Sequence, residues 1–200
     1  GGNGLYLVDL ADRGISRELL NSMDPSRTQT RLVFEGVPAQ RLGGDDLDGT
    51  ACLVELYDRV AVLLAFEQIG GGQAALDMGM AYTRERYAFG RAIASFQAIK
   101  HKFADMFVAL ELARSNAYYG AWALSSDAPD LPLAAATARV SATDAYYQVS
   151  RENIQVHGGM GFTWEFDCHL YYRRAQLLSS IIGTLPGWKD ALATRLLQAA

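Results

Sequence analysis

The 200-residue chain has only two cysteines, Cys52 and Cys168, and no CxxC pair. That excludes a disulfide framework and fits a reducing compartment such as the cytoplasm. Basic residues are short too. Eighteen Lys and Arg against 22 Asp and Glu leave a net charge of −4, with a pI near 5.4. A nucleic-acid binder needs a cationic surface to neutralise phosphates, so that class is disfavoured. No apolar run approaches the roughly 18 residues of a membrane span; the longest is Val60 to Phe66. No secretory leader is visible, and the opening GGNGLYLVDL reads like the interior of a β-domain, which predicts a fragment of a longer protein. What remains is ordinary globular composition, half hydrophobic and a fifth charged, long enough to bury a sizeable core.

Two regions differ in period. Over residues 1–46, Leu5 to Val8 and Thr30 to Phe34 are short β-prone runs, separated by turn chemistry at Asp12-Arg13-Gly14 and Asp24-Pro25-Ser26. Gly43-Gly44-Asp45-Asp46 closes this region, and so few strands cannot cover both faces of a sheet, so they are expected to be the end of a β-domain. Over 47–200 the spacing is helical. Leu53, Leu56, Val60, Leu63 and Leu64 recur every three or four residues. Gly70-Gly71-Gly72 interrupts that pattern, which predicts a kink or a close approach, since each glycine costs about 1 kcal/mol against alanine. A second helix is expected from an N-cap at Ser95 to about Leu124, a third from Leu133 to Val156, a fourth from Glu165 to Ile182 and a short segment from Trp188 to Leu197. The fold class is mainly α: an antiparallel four-helix bundle behind a β remnant. The tyrosines at 118, 119, 146, 147, 171 and 172 are expected to pack between helices with their hydroxyls at the rim.

Three motifs carry more than composition does. The first runs Arg84-Glu85-Arg86-Tyr87-Ala88-Phe89-Gly90-Arg91-Ala92-Ile93, with Phe96-Gln97 behind it. The second is Gln155-Val156-His157-Gly158-Gly159-Met160-Gly161-Phe162. The third is Arg173-Arg174-Ala175, with Gly183-Thr184 further on. In this order and spacing they resemble the C-terminal domain of the acyl-CoA dehydrogenases. The resemblance implies FAD, an acyl-CoA substrate dehydrogenated between its α and β carbons, a dimer of dimers that is homo- or heterotetrameric, and electron transfer to an electron-transfer flavoprotein. It places Arg86 on the FAD pyrophosphate of a neighbouring subunit, Phe89 and Gln97 beside the cofactor, Gln155, Gly158 and Gly159 at its adenosine end, and Thr184 near the flavin. An always-charged guanidinium suits a pyrophosphate, and glycines allow close backbone approach. Taken singly, Arg86 could be a solvated surface arginine and Gly158-Gly159 a helix C-cap.

The chain departs from the family where the base should stand. The glutamate that precedes Gly-Thr in typical members is Ile182 here, and the alternative position on the first long helix is Val60. Neither side chain accepts a proton. An arginine common one residue later is Ala61, while a substrate-contacting aspartate is retained as Asp58. Glu67 shares the helical stripe of Val60, and burial would raise its pKa towards a useful range, yet two turns displace it by roughly 10 Å. It reads as a paired structural residue first and a base second. No metal is expected: Asp167, Cys168 and His169 are consecutive on a helix and point apart. Trp164-Glu165 after Gly161-Phe162-Thr163 resembles a GFTWE variant among actinobacterial-type members, several of which act on steroid side chains in mixed complexes. The expectation is therefore a dehydrogenase subunit. The alternatives are a non-catalytic subunit completing a partner's FAD site, a flavin monooxygenase or oxidase of the same fold, and a purely structural bundle.

Overall fold

The computed structural model describes residues 3–44 and 47–199. The expected closing residues Asp45 and Asp46 lie outside them. Two compact units result, Gly1–Tyr57 and Asp58–Ala200.

In the first unit, β1 (Leu5–Val8) pairs antiparallel with β4 (Ala39–Leu42), Leu5 opposite Leu42. Likewise β2 (Ile15–Leu20) pairs with β3 (Gln29–Phe34), Ile15 opposite Phe34. Strands β1 and β3 fall where the sequence predicts them, whereas β2 and β4 do not stand out, because Ser16-Arg17-Glu18 puts three consecutive polar residues in β2 and Ala39–Leu42 follows Pro38. The turn aspartates act as expected: Asp12 Oδ1 accepts from the Gly14 N–H at 2.7 Å, and the buried Asp24 accepts from the Ser26 N–H at 3.0 Å.

Helix α1 (Gly49–Glu85) begins where the Asp48 carboxylate accepts the N–H of Thr50 at 2.9 Å. A two-residue hairpin of β5 (Tyr87–Ala88) and β6 (Arg91–Ala92) leads through a 3₁₀ turn to α2 (Gln97–Ser125). Ser95 is not the cap. Its hydroxyl donates backwards to the Ala92 carbonyl at 2.7 Å, and Phe96 takes the cap position with no side-chain bond. Helix α3 (Leu131–His157) has Pro132 in its first turn, where a missing N–H costs nothing. Helix α4 (Cys168–Leu178) is shorter than expected because Ser179 and Ser180 turn their hydroxyls onto the carbonyls of Gln176 and Leu177. Helix α5 (Leu185–Ala199) ends the bundle.

The core is built from small residues. Ala65, Ala75, Ala113, Ala117, Ala138 and Ala142 are buried around Leu76, Met106, Leu110 and Val149, which lets helix axes approach closely. The triple glycine does not break α1. A Cβ on Gly71 would stand 2.6 Å from the Tyr146 ring, and one on Gly72 would stand 2.6 Å from Leu110 Cδ2. Close approach, not a kink, explains Gly71 and Gly72, whereas Gly70 faces open space. Tyr146 fills that notch and is 2% exposed, so it departs from the expected rim placement, whereas Tyr118 and Tyr119 stay exposed.

One polar network crosses the core. Arg139 donates to Gln68 Oε1 at 3.1 Å and to the Leu178 carbonyl, while Gln68 donates to Thr143 Oγ1 at 3.1 Å. It joins α1, α3 and the end of α4.

The glycine geometry separates two neighbouring substitutions. Nothing lies within 4 Å of a Cβ on Gly70, so Gly70→Ala should stabilise by about 1 kcal/mol. Gly71→Ala must displace a rigid ring and should cost about 1–3 kcal/mol. Urea unfolding of the two variants beside the parent checks both signs.

Candidate functional site at the joined ends of α1 and α3

Helix α1 ends at Glu85, and Arg86 follows it with its backbone N–H still bonded to the Tyr82 carbonyl at 2.9 Å. The guanidinium is exposed, and no ion pair engages it among the described residues. Helix α3 ends at Gly158, whose φ of 60° and ψ of −136° only glycine adopts without strain; its N–H caps the Gln155 carbonyl. These two ends meet. Arg86, Gln155, His157, Gly158 and Gly159 line one cavity of about 390 Å³, closed by Tyr82 and Ile93. A second cavity of about 440 Å³ shares Tyr82, Arg86 and His157 and adds Glu85 and Phe166.

The glycines of the second motif have different reasons to be glycine. Gly158 needs its positive φ. Gly161 needs room, since a Cβ there would meet the Ile154 carbonyl oxygen at 2.5 Å. Gly159 has neither constraint: its φ is not positive and nothing stands within 4 Å of its Cβ position. Open space is what remains to explain it.

His157, passed over in the sequence as a spacer between Gln155 and Gly158, proves central. Its ring stacks on Tyr82 at 4.2 Å and tilts against Phe166 at 5.4 Å. Its Nδ1 sits 2.7 Å from the Asn153 carbonyl. Burial lowers its pKa below the ordinary value, with that hydrogen bond opposing. A signal existed: a histidine one turn after Asn153, in a motif already singled out.

Phe89 and Gln97 belong to the connection that follows Arg86. The hairpin closes with Ile93 N–H on the Arg86 carbonyl at 2.8 Å. Its two turn residues, Phe89 and Gly90, both have positive φ, 54° and 77°, as tight primed hairpin turns require. A phenylalanine there is strained, and its ring is 95% exposed, edge-on to Phe96 at 6.3 Å. Phe96 also lies under the Arg91 guanidinium at 3.9 Å and immediately precedes Gln97, which opens α2 exposed.

The remaining residues lie elsewhere. Thr184 works as the cap of α5, its carbonyl accepting from Trp188 N–H at 3.1 Å. Asp58 is 3% exposed, and both its oxygens engage Arg195 of α5, at 2.8 and 3.1 Å. Ile182 packs against an apolar cluster that contains Ala61, the neighbour of Val60. Glu67 is half-buried and pairs with Arg174 of α4 at 3.0 Å. Among the described residues no three His, Cys, Asp or Glu side chains gather as metal ligands. The Cys168 thiol is buried and pushed up to about 11 by that burial, and His169 Nδ1 is turned to the Phe166 carbonyl at 3.0 Å. No helix among the described residues is long and apolar enough to cross a membrane.

Comparison with known proteins bears on the whole chain. The family model described as acyl-CoA dehydrogenase, C-terminal domain, matches residues 48–197. Acyl-CoA dehydrogenase IpdE2 of Mycobacterium tuberculosis is 41% identical over 169 residues, which are 82% of this chain and 48% of the relative. The chain thus spans about half the length of that relative. Butyryl-CoA dehydrogenase from Megasphaera elsdenii superposes with a TM-score of 0.92 at 26% identity, over 98% of this chain and 52% of the other. The ChsE4-ChsE5 complex from Mycobacterium tuberculosis does so with 0.85 at 25%, over 97% and 52%.

Two outcomes follow from the site's geometry. Phe89→Asn relieves the strained φ and should stabilise the fold by about 1 kcal/mol in chemical denaturation. Burial disfavours the protonated form of His157 in the folded state. As pH falls through the ordinary histidine range near 6.5, the unfolded chain takes up the proton first and stability drops. The loss between about pH 7 and about pH 5 should therefore be smaller in His157→Phe, measured by urea unfolding at both ends.

Proposed function

Because the chain belongs to the acyl-CoA dehydrogenase family, we propose that it is part of a flavoprotein subunit for α,β-dehydrogenation of an acyl-CoA thioester, with FAD held at the cavity between α1 and α3. Residues 1–46 are then the end of the preceding β-domain and 47–200 the helical domain. The observation that carries this reading is the meeting of Arg86 with Gln155, Gly158 and Gly159 around one cavity. These come from two motifs far apart in sequence. An exposed guanidinium with no carboxylate partner suits a pyrophosphate, which it can grip with two parallel N–H donors. The open space over Gly159 suits the approach of the adenosine end. Phe89 and Gln97 lie on the connection that follows Arg86, and Thr184, apart from this cavity on the turn into α5, would contribute a hydroxyl near the flavin. When bound, FAD supplies the acceptor for the hydride that leaves the β-carbon. This chain's part is to bind, orient and shield. Electrons then pass to an electron-transfer flavoprotein.

A second reading concerns the base, and one observation favours it. Ile182 and Val60, where the family keeps its glutamate, carry alkyl side chains, and Ile182 sits in an apolar cluster. The substitute carboxylate considered in the sequence, Glu67, is already committed to Arg174. A mixed assembly in which a related subunit supplies the base accounts for all three facts. ChsE4-ChsE5 is a complex of two chains, and an analogous heterotetramer would complete FAD sites across its interfaces.

Two variants test the two readings. Arg86→Gln should weaken FAD binding by about 10- to 100-fold, the loss of one charge-assisted pair, followed by flavin fluorescence. Unchanged affinity would sink the cofactor assignment. Glu67→Gln should leave acyl-CoA turnover and α-proton exchange within about twofold while costing about 1 kcal/mol of stability. Turnover by the protein alone that vanishes in Glu67→Gln would make Glu67 the base and remove the need for a partner.

A further inference from the structure

The turn that follows α3 leaves two large rings in solvent. Phe162 is 82% exposed and Trp164 73%, and neither joins the apolar clusters of the bundle. Both line a cavity of about 400 Å³ between the last turns of α3 and the first half of α4, a size common among small-molecule sites. It shares only Gln155 with the cavity that holds Gly158 and Gly159, and no residue with the one that holds Phe166. The charged side chains that line it are of one sign: Arg151 and Arg173, with no Asp or Glu. Among the described residues no carboxylate pairs with Arg173, whose guanidinium lies 5.0 Å from the centre of the Trp164 ring. Arg151 shares Glu152 with Lys102, at 3.0 and 2.5 Å, so one carboxylate faces two cations and the balance there stays positive. Glu165 and Asp167 flank the turn in sequence without lining the cavity.

We infer that this cavity is a second ligand site, for a planar ring that carries one carboxylate or phosphate. The two halves of that chemistry answer two separate features. Phe162, Trp164, Tyr172 and Ile154 give the cavity an apolar, largely aromatic lining against which a flat ring can lie. A guanidinium stacked on an indole keeps its edge N–H donors free and fixed in plane, the geometry that grips an oxyanion with two parallel bonds. Arg151 adds a second cation from the α3 side. His169 holds the Trp164 ring edge-on, with centroids 4.5 Å apart, and commits its Nδ1 to the Phe166 carbonyl. A neutral apolar ligand would leave Arg173 without an anion, and a bare inorganic anion would leave both rings in water. The inference stands apart from the FAD reading, since it uses neither Arg86 nor the Gly158-Gly159 pair.

The test titrates the full-length protein with 2-naphthoate and 2-naphthyl phosphate and follows the indole ¹⁵N–¹H signals of Trp122, Trp164 and Trp188 by NMR. Both probes should shift Trp164 saturably and leave the other two in place, and the tighter of the two identifies the anionic group the site prefers. Naphthalene-2-carboxamide, the same ring without the charge, should bind at least about tenfold more weakly, the size of one charge-assisted hydrogen bond. Arg173→Gln should weaken 2-naphthoate by a similar factor and Arg173→Lys should recover part of it, since a lysine restores charge without the fork. Equal affinity for the carboxylate and the carboxamide overturns the inference, as does a Trp164 shift from inorganic phosphate as large as that from the naphthyl phosphate. Displacement of 2-naphthoate by FAD also overturns it, because the cavity would then belong to the cofactor site. An unchanged 2-naphthoate affinity in Arg86→Gln supports it whether or not that variant binds FAD. Should Arg173→Gln fail to fold, Arg151→Gln and the carboxamide comparison decide.

Discussion

The close approach of α1 to α3 is the constraint on which the rest depends. Gly71, Gly72, Ala75 and Gly79 line one side of α1, and each glycine is tight against a neighbour: Gly71 on Tyr146, Gly72 on Leu110, and Gly79 on Asn153, Phe103 and Val156. A Cβ at Gly71, Gly72 or Gly79 would crowd these neighbours, at 2.6 Å for the first two, and the close-packed interior has little slack to absorb that. Because both helices run the same way around α2, tight packing along their length brings their C-terminal ends together. Arg86 then comes to lie beside His157 and Gly159 without any loop reaching across. The backbone entropy spent on Gly71 and Gly72 is offset by packing that nothing bulkier permits.

A second constraint fixes the other end of the bundle. Arg139 is buried with no carboxylate opposite it; burial lowers its pKa to about 10, which still leaves it charged near neutrality. Its counter-charge is spread over dipoles, the Gln68 amide oxygen and the Leu178 carbonyl at the C-terminal end of α4, where the helix dipole is negative. Removing that cation would strand both acceptors. The same tie fixes where α4 stops, and so where the turn through Ile182 begins. Trp188 Nε1 closes that turn on the Ile182 carbonyl at 3.0 Å. Ile182, the position where the resemblance to the family would place a base, is thus held in a bonded turn and carries an alkyl group.

Much of this was legible in the sequence, and the failures have local causes. Helical period located α1, α2 and α3 to within a few residues, because long amphipathic stretches repeat the signal many times. Ser95 misled because a hydroxyl can serve its own 3₁₀ turn as readily as the next helix. The ends of α4 were lost to two serines that bond backwards, and β2 and β4 to sequences whose strand character depends on their partners. In the site, the motifs gave Arg86, Gln155, Gly158 and Gly159 but not their meeting, which is a property of packing between distant segments. Neither Tyr82 nor Phe166 could be assigned to His157 from spacing alone. The pairs that hold Asp58 to Arg195 and Glu67 to Arg174 join residues more than a hundred positions apart, and no local pattern announces such a contact.

Sequences that fold well agree with themselves at every level, so places where a local rule is broken without internal repair point to function. Among the described residues, four such breaks lie around the joined ends of α1 and α3. They are a phenylalanine at positive φ with its ring in solvent, an arginine with no partner, a glycine with no steric or conformational reason to be one, and a buried histidine nitrogen with no donor. Around Ile182 there are none: the side chain is apolar, its cluster is apolar, its carbonyl is bonded, and nearby Asp58 is paired. The first region is strained in the way a binding site is strained before its ligand arrives. The second is relaxed in the way a packed core is relaxed. That contrast is what the proposed reading expects: a binding site keeps unpaired groups for its ligand, whereas a position filled by an alkyl side chain is absorbed into hydrophobic packing.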